Sequence, residues 1–456
     1  MASGSSRKGG PSQSDAPRIS PVPSGRAGRL WTLGSMASRM AVGGLSEKAK
    51  RLVRQGRDSV PPLLTVANAR MVADRLSRLR GAAMKLGQML SMEGEHLLPA
   101  EFADALARLR AGADAMPAAQ VWRVMETAYG AGWRDRFPGF EETPLASASI
   151  GQVHRATTEE GRVVVLKIQY PGVAESIDSD VDNLASLLGV TRLLPGKLDL
   201  DETMRELKRQ LRAEADYLNE AECALAYARH VAPLDGITVP QVHPSLSTER
   251  TLVMDFVDAP HLFAWASEHG SQVMRDDLAR RLIDLTVREM FAFGLAQTDP
   301  NFANFLYRPD HDEIVMLDFG ACQTVSPEVR EVYRRMLSAA LDDDWQAMEG
   351  GLVGAGYLRS ESPEDMRKFF TDLVMTCAEM LRIPGPYDFG QADLTARVKK
   401  AMGPAARYQL QLDSPPAHLM FFQRKIAGTY LMCRRLRARV DCHDLCRRVL
   451  ASCPVS

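Results

Sequence analysis

Apolar positions recur at steps of three and four from Val72 through Leu76, Leu79, Ala83 and Leu86 to Leu90. That spacing predicts one face of an amphipathic helix over residues 72–90. A second helical stretch is expected over 101–110, and Pro138-Gly139 then breaks the chain. The period changes at 162–168, where a β-branched run around Val163, Val164 and Val165 predicts a buried strand. Residues 200–230 return to helix, opened by Asp201 as N-cap, with Leu207, Leu211, Leu218 and Leu225 as the apolar stripe. Residues 251–257 form another strand candidate, and Leu278, Leu282, Leu285, Met290 and Phe293 mark a long helix. Residues 314–317 read as a short buried strand, and nearly everything beyond Pro327 as helix. The expected class is α+β, with a strand-bearing first half and a helical second half arranged as two lobes around a cleft.

Composition narrows the partners. The chain has 456 residues, 45% hydrophobic and 25% charged, with a formal net charge of -1. Such a balance suits a soluble globular protein and argues against nucleic acid as a bulk electrostatic partner. No apolar run is long enough to span a bilayer. The seven cysteines are scattered, as expected of a reducing compartment, and a cytoplasmic location is preferred. Residues 1–27, rich in Ser, Gly, Pro and Arg, are expected to be disordered; mitochondrial import through them is the lesser reading.

Three local patterns carry phosphoryl chemistry, which needs a grip on phosphates, metal ligands and a carboxylate near the attacking group. Lys167 ends Val164-Val165-Leu166-Lys167, a fair match to the V-A-I-K strand whose lysine holds phosphates in kinases. The alternative is an edge strand with Lys167 in water. Asp299 and Asn304 have the Asp-to-Asn spacing of a kinase catalytic loop, with Gln297-Thr298 in place of His-Arg; alone they also fit an Asp-Pro turn. Asp318-Phe319-Gly320 sets a carboxylate at a strand end, suited to Mg2+. No G-x-G-x-x-G precedes Lys167; the turn there is Ala146-Ser147-Ala148-Ser149-Ile150-Gly151, whose backbone N–H groups could still cradle phosphate. Glu214 falls on the apolar stripe of the 200–230 helix and needs a cation. Glu220, six positions on, could serve Lys167.

With those residues in hand, the chain resembles the UbiB-like (AarF-related) atypical kinases of ubiquinone biosynthesis. Lys85-Leu86-Gly87-Gln88 is similar to that family's KxGQ motif and Glu214-Ala215-Asp216 to its ExD motif. The alanine-rich turn, the Gln297-to-Asn301 segment, the Leu317-to-Ala321 segment and Gln423-Arg424-Lys425-Ile426-Ala427-Gly428 also match. The resemblance implies a two-lobed protein-kinase-like fold with a small N-lobe sheet, a helical C-lobe and a helical N-terminal extension. The implied divisions are an extension over 28–135, an N-lobe over 136–260 carrying the ExD helix, and a C-lobe over 261–456. It implies Mg2+ and ATP or ADP as ligands, and an ATPase or unorthodox kinase activity. Asp299 and Lys167 would be catalytic, and Asn304 and Asp318 the metal ligands. Ala146, Ser147, Ala148, Ser149, Gly151, Lys167, Glu220, Phe256 and Val257 would surround the nucleotide. Lys85 and Gln88 would meet Glu214 and Asp216 in a gate over the cleft.

Two other functions stay open at this level: a non-catalytic, nucleotide-gated scaffold for biosynthetic enzymes, and a small-molecule kinase. Many family members end in apolar membrane helices, whereas Cys453-Pro454-Val455-Ser456 carries no such span. Peripheral contact with anionic lipid is open through Phe421, Phe422 and Leu431 beside Arg434, Arg435, Arg437 and Arg439, against an ordinary core helix with a solvated basic end. Cys442, His443, Cys446 and Cys453 read as core residues rather than zinc ligands, since no second Cys pair completes a metal spacing.

Overall fold

The computed structural model describes residue 85 and residues 115–191, 200–402 and 417–453. The expected tail at 1–27, Gln88 and the helices at 72–90 and 101–110 lie outside the described residues; only Lys85 of that stretch is described, helical and buried. Contacts divide the chain into two units, Met1–Gly161 with Leu166–Leu211, and Arg162–Val165 with Arg212–Ser456.

The chain runs α1 (Ala118–Tyr129), α2 (Trp133–Arg136), β1 (Ala146–Ser147), β2 (Gly151–Thr157), β3 (Val163–Gln169), α3 (Val173–Thr191) and α4 (Leu200–Ala215). The alternation expected of a strand is visible in β3. Val164, Leu166 and Ile168 are fully buried, while Val165 and Lys167 on the opposite face are half-buried. The sheet order is β1-β2-β3-β5, with β5 spanning Thr251–Asp255, so β3 is an internal strand.

Next come α5 (Tyr217–Val231), β4 (Ile237–Thr238), β5 (Thr251–Asp255), α6 (Leu262–Glu268) and α7 (Gln272–Arg288), followed by a π-helical turn at Glu289–Phe293. The single helix expected over 200–230 is two. Asp216 leaves helical geometry at φ -94, ψ 83, and its carboxylate accepts the Asn219 N–H at 3.0 Å, capping α5. An Asp that satisfies an orphan N–H at a helix start competes with helix continuation. The break resets the face: Leu207 and Leu211 are buried, but Leu218 is 42% exposed and the α5 core side chains are Tyr217, Ala221, Ala224 and Tyr227.

Strands β6 (Leu295–Gln297), β7 (Phe305–Arg308), β8 (Glu313–Met316) and β9 (Cys322–Thr324) follow. Then come α8 (Pro327–Leu341), α9 (Trp345–Gly354), α10 (Glu364–Cys377), α11 (Glu379–Arg382), β10 (Tyr387–Asp388), α12 (Leu394–Met402), α13 (Ala417–Leu436), β11 (Arg439–Val440) and α14 (Cys442–Ser452). The region is helical as expected, except that β10 and β11 pair antiparallel, which their two-residue length hides from periodicity. Its helices close on a core of Ala339, Ala340, Met348, Leu352, Leu358, Met366 and Met375. Phe421 and Phe422 are buried, as expected of an ordinary core helix and not of a lipid-facing surface, while Leu431 is exposed. Cys442, Cys446 and Cys453 are buried as core residues. Among the described residues, no helix is long and apolar enough to cross a membrane.

Candidate active site

Two short ladders gather the residues of the expected catalytic and metal segments. Strands β7 and β8 form an antiparallel hairpin with Phe305 opposite Met316. That register sets Asn304 and Leu317 side by side at the open end, where the Leu317 N–H donates to the Asn304 carbonyl at 3.0 Å. Asp318 is the next residue. Strands β6 and β9 pair Gln297 with Cys322, and the Thr298 N–H and hydroxyl both donate to the Ala321 carbonyl, at 3.1 and 2.7 Å. Asp299 follows Thr298 directly. Sequence-distant residues therefore converge because two hairpin registers end at one place.

Local hydrogen bonds hold the carboxylates. One Asp299 oxygen accepts the Asn301 N–H at 3.2 Å, and Asn301 in turn caps the 3-10 turn Phe302–Asn304 through the Ala303 N–H. One Asp318 oxygen accepts the Gly320 N–H at 3.1 Å. Gln297 takes the place of the kinase His. Its Nε2 donates to the Asp299 carbonyl at 2.9 Å and the Asp318 carbonyl at 3.3 Å, tying the two segments together. A neutral amide performs this bridging with no titratable group.

Helix α5 borders the Asp318-Phe319-Gly320 segment. A Cβ built on Gly320 would lie 3.4 Å from a Glu220 oxygen and 3.5 Å from an Asp318 oxygen, so two carboxylates approach one point. Glu220 is buried, and a buried carboxylate is held by charged or hydrogen-bonding partners. The side-chain nitrogen of Asn304 is also buried without a hydrogen-bond partner. The side-chain oxygens of Asp318 and Asn304 are of the hard type that Mg2+ takes, so the residue types fit that ion. One turn along α5, Cys223 and Cys322 share a hydrogen bond; it lowers the Cys223 thiol and, with burial, raises Cys322. A further turn on, Tyr227 packs on Phe319 with ring centroids 5.0 Å apart.

In the first unit, the alanine-rich segment is a hairpin. Ala146 pairs with Val153 and Ser147 with Gln152, and the Ala148 N–H donates to the Gly151 carbonyl at 2.9 Å. Neither Ser149, Ile150 nor Gly151 has positive φ, which is why alanine and serine can stand where kinases use glycine. The hairpin is anchored by a chain of bonds. The Met116 N–H donates to Gln152 Oε1 at 2.8 Å, Gln152 Nε2 lies 2.7 Å from His154 Nε2, and His154 Nδ1 lies 2.8 Å from the Glu141 carbonyl. A carbonyl can only accept, so Nδ1 carries the proton and Nε2 accepts. Burial lowers the His154 pKa and keeps the ring neutral. Lys167 projects from the less buried face of β3.

Of the other expected residues, Phe256 and Val257 are half-buried at the end of β5, where the Phe256 N–H donates to the Val163 carbonyl at 3.1 Å. Glu214 is buried and Asp216 is exposed at its capping position. Sequence reasoning missed Glu289, fully buried beside this segment. The signal was present: Glu289 continues the spacing of Leu278, Leu282 and Leu285, a carboxylate on an apolar face.

A family model described as the ABC1 atypical kinase-like domain matches residues 108–350. The chain is 36% identical over 436 residues to "Atypical kinase coq-8, mitochondrial" of Caenorhabditis elegans, covering 93% of this chain and 57% of that one. It is 35% identical over 438 residues to "Atypical kinase COQ8B, mitochondrial" of Rattus norvegicus, covering 95% and 82%. The chain thus spans little more than half the length of the worm relative and most of the rat one. Among solved structures, the Rv3197–erythromycin complex from Mycobacterium tuberculosis matches with a TM-score of 0.59 at 27% identity, over 82% of this chain and 93% of that one. The fold and the ordered segments around Lys167, Asp299 and Asp318 define a kinase-like protein. Within that class, the chain belongs to the ABC1 atypical kinase-like family, the UbiB group.

Proposed function

We propose that this protein binds Mg2+ and ATP or ADP, acts as an ATPase or unorthodox kinase, and supports ubiquinone biosynthesis. The observation that carries this reading is the convergence of Asp299, Asn304 and Asp318 at the ends of the β7–β8 and β6–β9 ladders. In this reading Asp299, steadied by the Asn301 N–H, faces the attacking hydroxyl or water and accepts its proton. Asn304 and Asp318 hold Mg2+, which supplies charge neutralisation for the phosphates. Lys167 and the backbone N–H groups of the Ala146–Gly151 turn hold the phosphates, with Glu220, Phe256 and Val257 completing the nucleotide site. Lys85 and Gln88 act with Glu214 and Asp216 as the gate, a role that the burial of Lys85 and Glu214 supports.

The link to ubiquinone rests on the family resemblance. The mitochondrial names of the relatives favour a mitochondrial over a cytoplasmic location for this role; peripheral membrane contact and biosynthetic enzymes as partners are part of the proposal. The test is titration of fluorescent ADP into the purified protein with and without Mg2+. Asp318→Asn is expected to lose the Mg2+-dependent part of the affinity and ATP turnover. Equal Mg2+-dependent binding by wild type and Asp318→Asn would overturn the metal assignment.

A further inference from the structure

Glu289 belongs to neither the phosphate grip nor the metal set, yet it is the most enclosed charge near them, at 0% exposure. It opens the π-helical turn Glu289–Phe293, a local departure from α geometry of the kind that often re-aims side chains at functional sites. Its Oε1 accepts the Tyr227 hydroxyl at 2.8 Å and the Gln297 N–H at 3.0 Å. Its Oε2 faces Lys425 Nζ at 2.6 Å, and Lys425 on α13 is itself buried. Burial and the neighbouring Glu289 raise the Tyr227 pKa, so its hydroxyl stays a donor.

A buried ion pair is a poor way to gain stability, because apolar residues of the same volume avoid the desolvation of both charges. What the pair provides is direction. Lys425 fixes Glu289, Glu289 fixes the Gln297 backbone, and the Gln297 side chain ties the carbonyls of Asp299 and Asp318. The same face of α13 makes two further contacts. A Cβ on Gly428 would fall 2.0 Å from Pro300 Cβ, so the helix backbone lies against the catalytic turn. The Thr429 and Thr286 hydroxyls are 2.8 Å apart, joining α13 to α7. Positions 425, 428 and 429 are one turn of a helix, and all three meet the scaffold of the catalytic segment.

We infer that Glu289 and Lys425 are positioning residues, which act through Gln297 to set the separation of Asp299 and Asp318, with α13 as the rigid backing. The inference rests on the proposed Mg-nucleotide reading of those two aspartates. Two charge-free double variants separate positioning from simple packing. Glu289→Gln with Lys425→Met keeps an acceptor oxygen for the Gln297 N–H, and Glu289→Leu with Lys425→Met removes it. With ATP, the Leu double variant is expected to lose at least ~10-fold in kcat and to need more Mg2+ for half-saturation, with KM within ~3-fold, since it loses an interaction felt at the reacting centre. The Gln double variant should recover part of the loss through the restored acceptor, the remaining deficit measuring the hold of Lys425 on the side chain at 289. Hydrogen exchange at Gln297 and residues 318–321 should quicken in the Leu variant alone. Equal kcat and equal exchange in the two variants, or losses that follow only the melting temperature, would overturn the inference.

Should the Leu variant not fold, Gln297→Met removes the two carbonyl contacts and leaves the bond from the backbone N–H to Glu289. An unchanged kcat and Mg2+ requirement there would overturn it equally. If wild type neither binds nor turns over Mg-ATP, the functional reading fails by itself, and the exchange comparison still decides the positioning role.

Discussion

Gly428→Ala adds one methyl group where α13 meets the catalytic turn. The new Cβ would lie 2.0 Å from Pro300 Cβ and 2.7 Å from its Cγ, against 3.4–4 Å for ordinary van der Waals contact. The gap must open by more than an ångström. Pro300 gives way poorly, because its ring locks φ and its neighbour Asp299 is tied to Gln297 and Asn301. Overpacking of this kind costs ~1–3 kcal/mol, while alanine in place of a helical glycine returns up to ~1 kcal/mol. A net loss of about 1–2 kcal/mol is expected, or a fall of about 1–2 °C in melting temperature for a 456-residue chain. Turnover should suffer more than stability, since ~1 Å of misplacement at a reacting centre can cost ~100-fold. Gly350→Ala in α9 is the control: its Cβ would meet nothing within 4 Å, so it should melt at or above wild type with unchanged activity. Thermal melts and Mg-ATP turnover on the three proteins decide the matter. A Gly428→Ala protein that melts and turns over like wild type would refute the close approach of α13 to Pro300.

Two further expectations come from the titratable groups. The native His154 pKa lies below its ordinary 6.5 because of burial. Below that value the unfolded chain binds a proton that the native ring refuses, so stability is full above 6.5 and is lost as pH falls toward the native value, at up to ~1.4 kcal/mol per pH unit. Denaturant melts between pH 7.5 and 5.0 should show this component in wild type and not in His154→Gln; parallel pH profiles would contradict it. The Cys322 hydrogen bond lowers the Cys223 thiol while Cys322 itself is raised, so iodoacetamide near pH 8 should label Cys223 first; prior labelling of Cys322 by peptide mass spectrometry would refute the assignment.

The features legible along the chain are local. The run at Val163, Val164 and Val165 became β3, with Lys167 on its less buried face, because alternation and β-branching act within a few residues. The spacing of Asp299, Asn304 and Asp318 was legible for the same reason, as was the absence of glycines in the Ala146–Gly151 turn. The long-range outcomes were not. Asp216 lay on a pattern that continued as helix, and only the capping geometry showed that α4 stops there and α5 starts on a new face. Phe421 and Phe422 are apolar whether they meet lipid or core, and packing chose core. Glu289 and Lys425 stand 136 positions apart in the chain, so no periodicity links them; the fold brings the two charges to 2.6 Å. A buried charge becomes tolerable only when a distant segment supplies its partner, and that pairing is decided by tertiary packing.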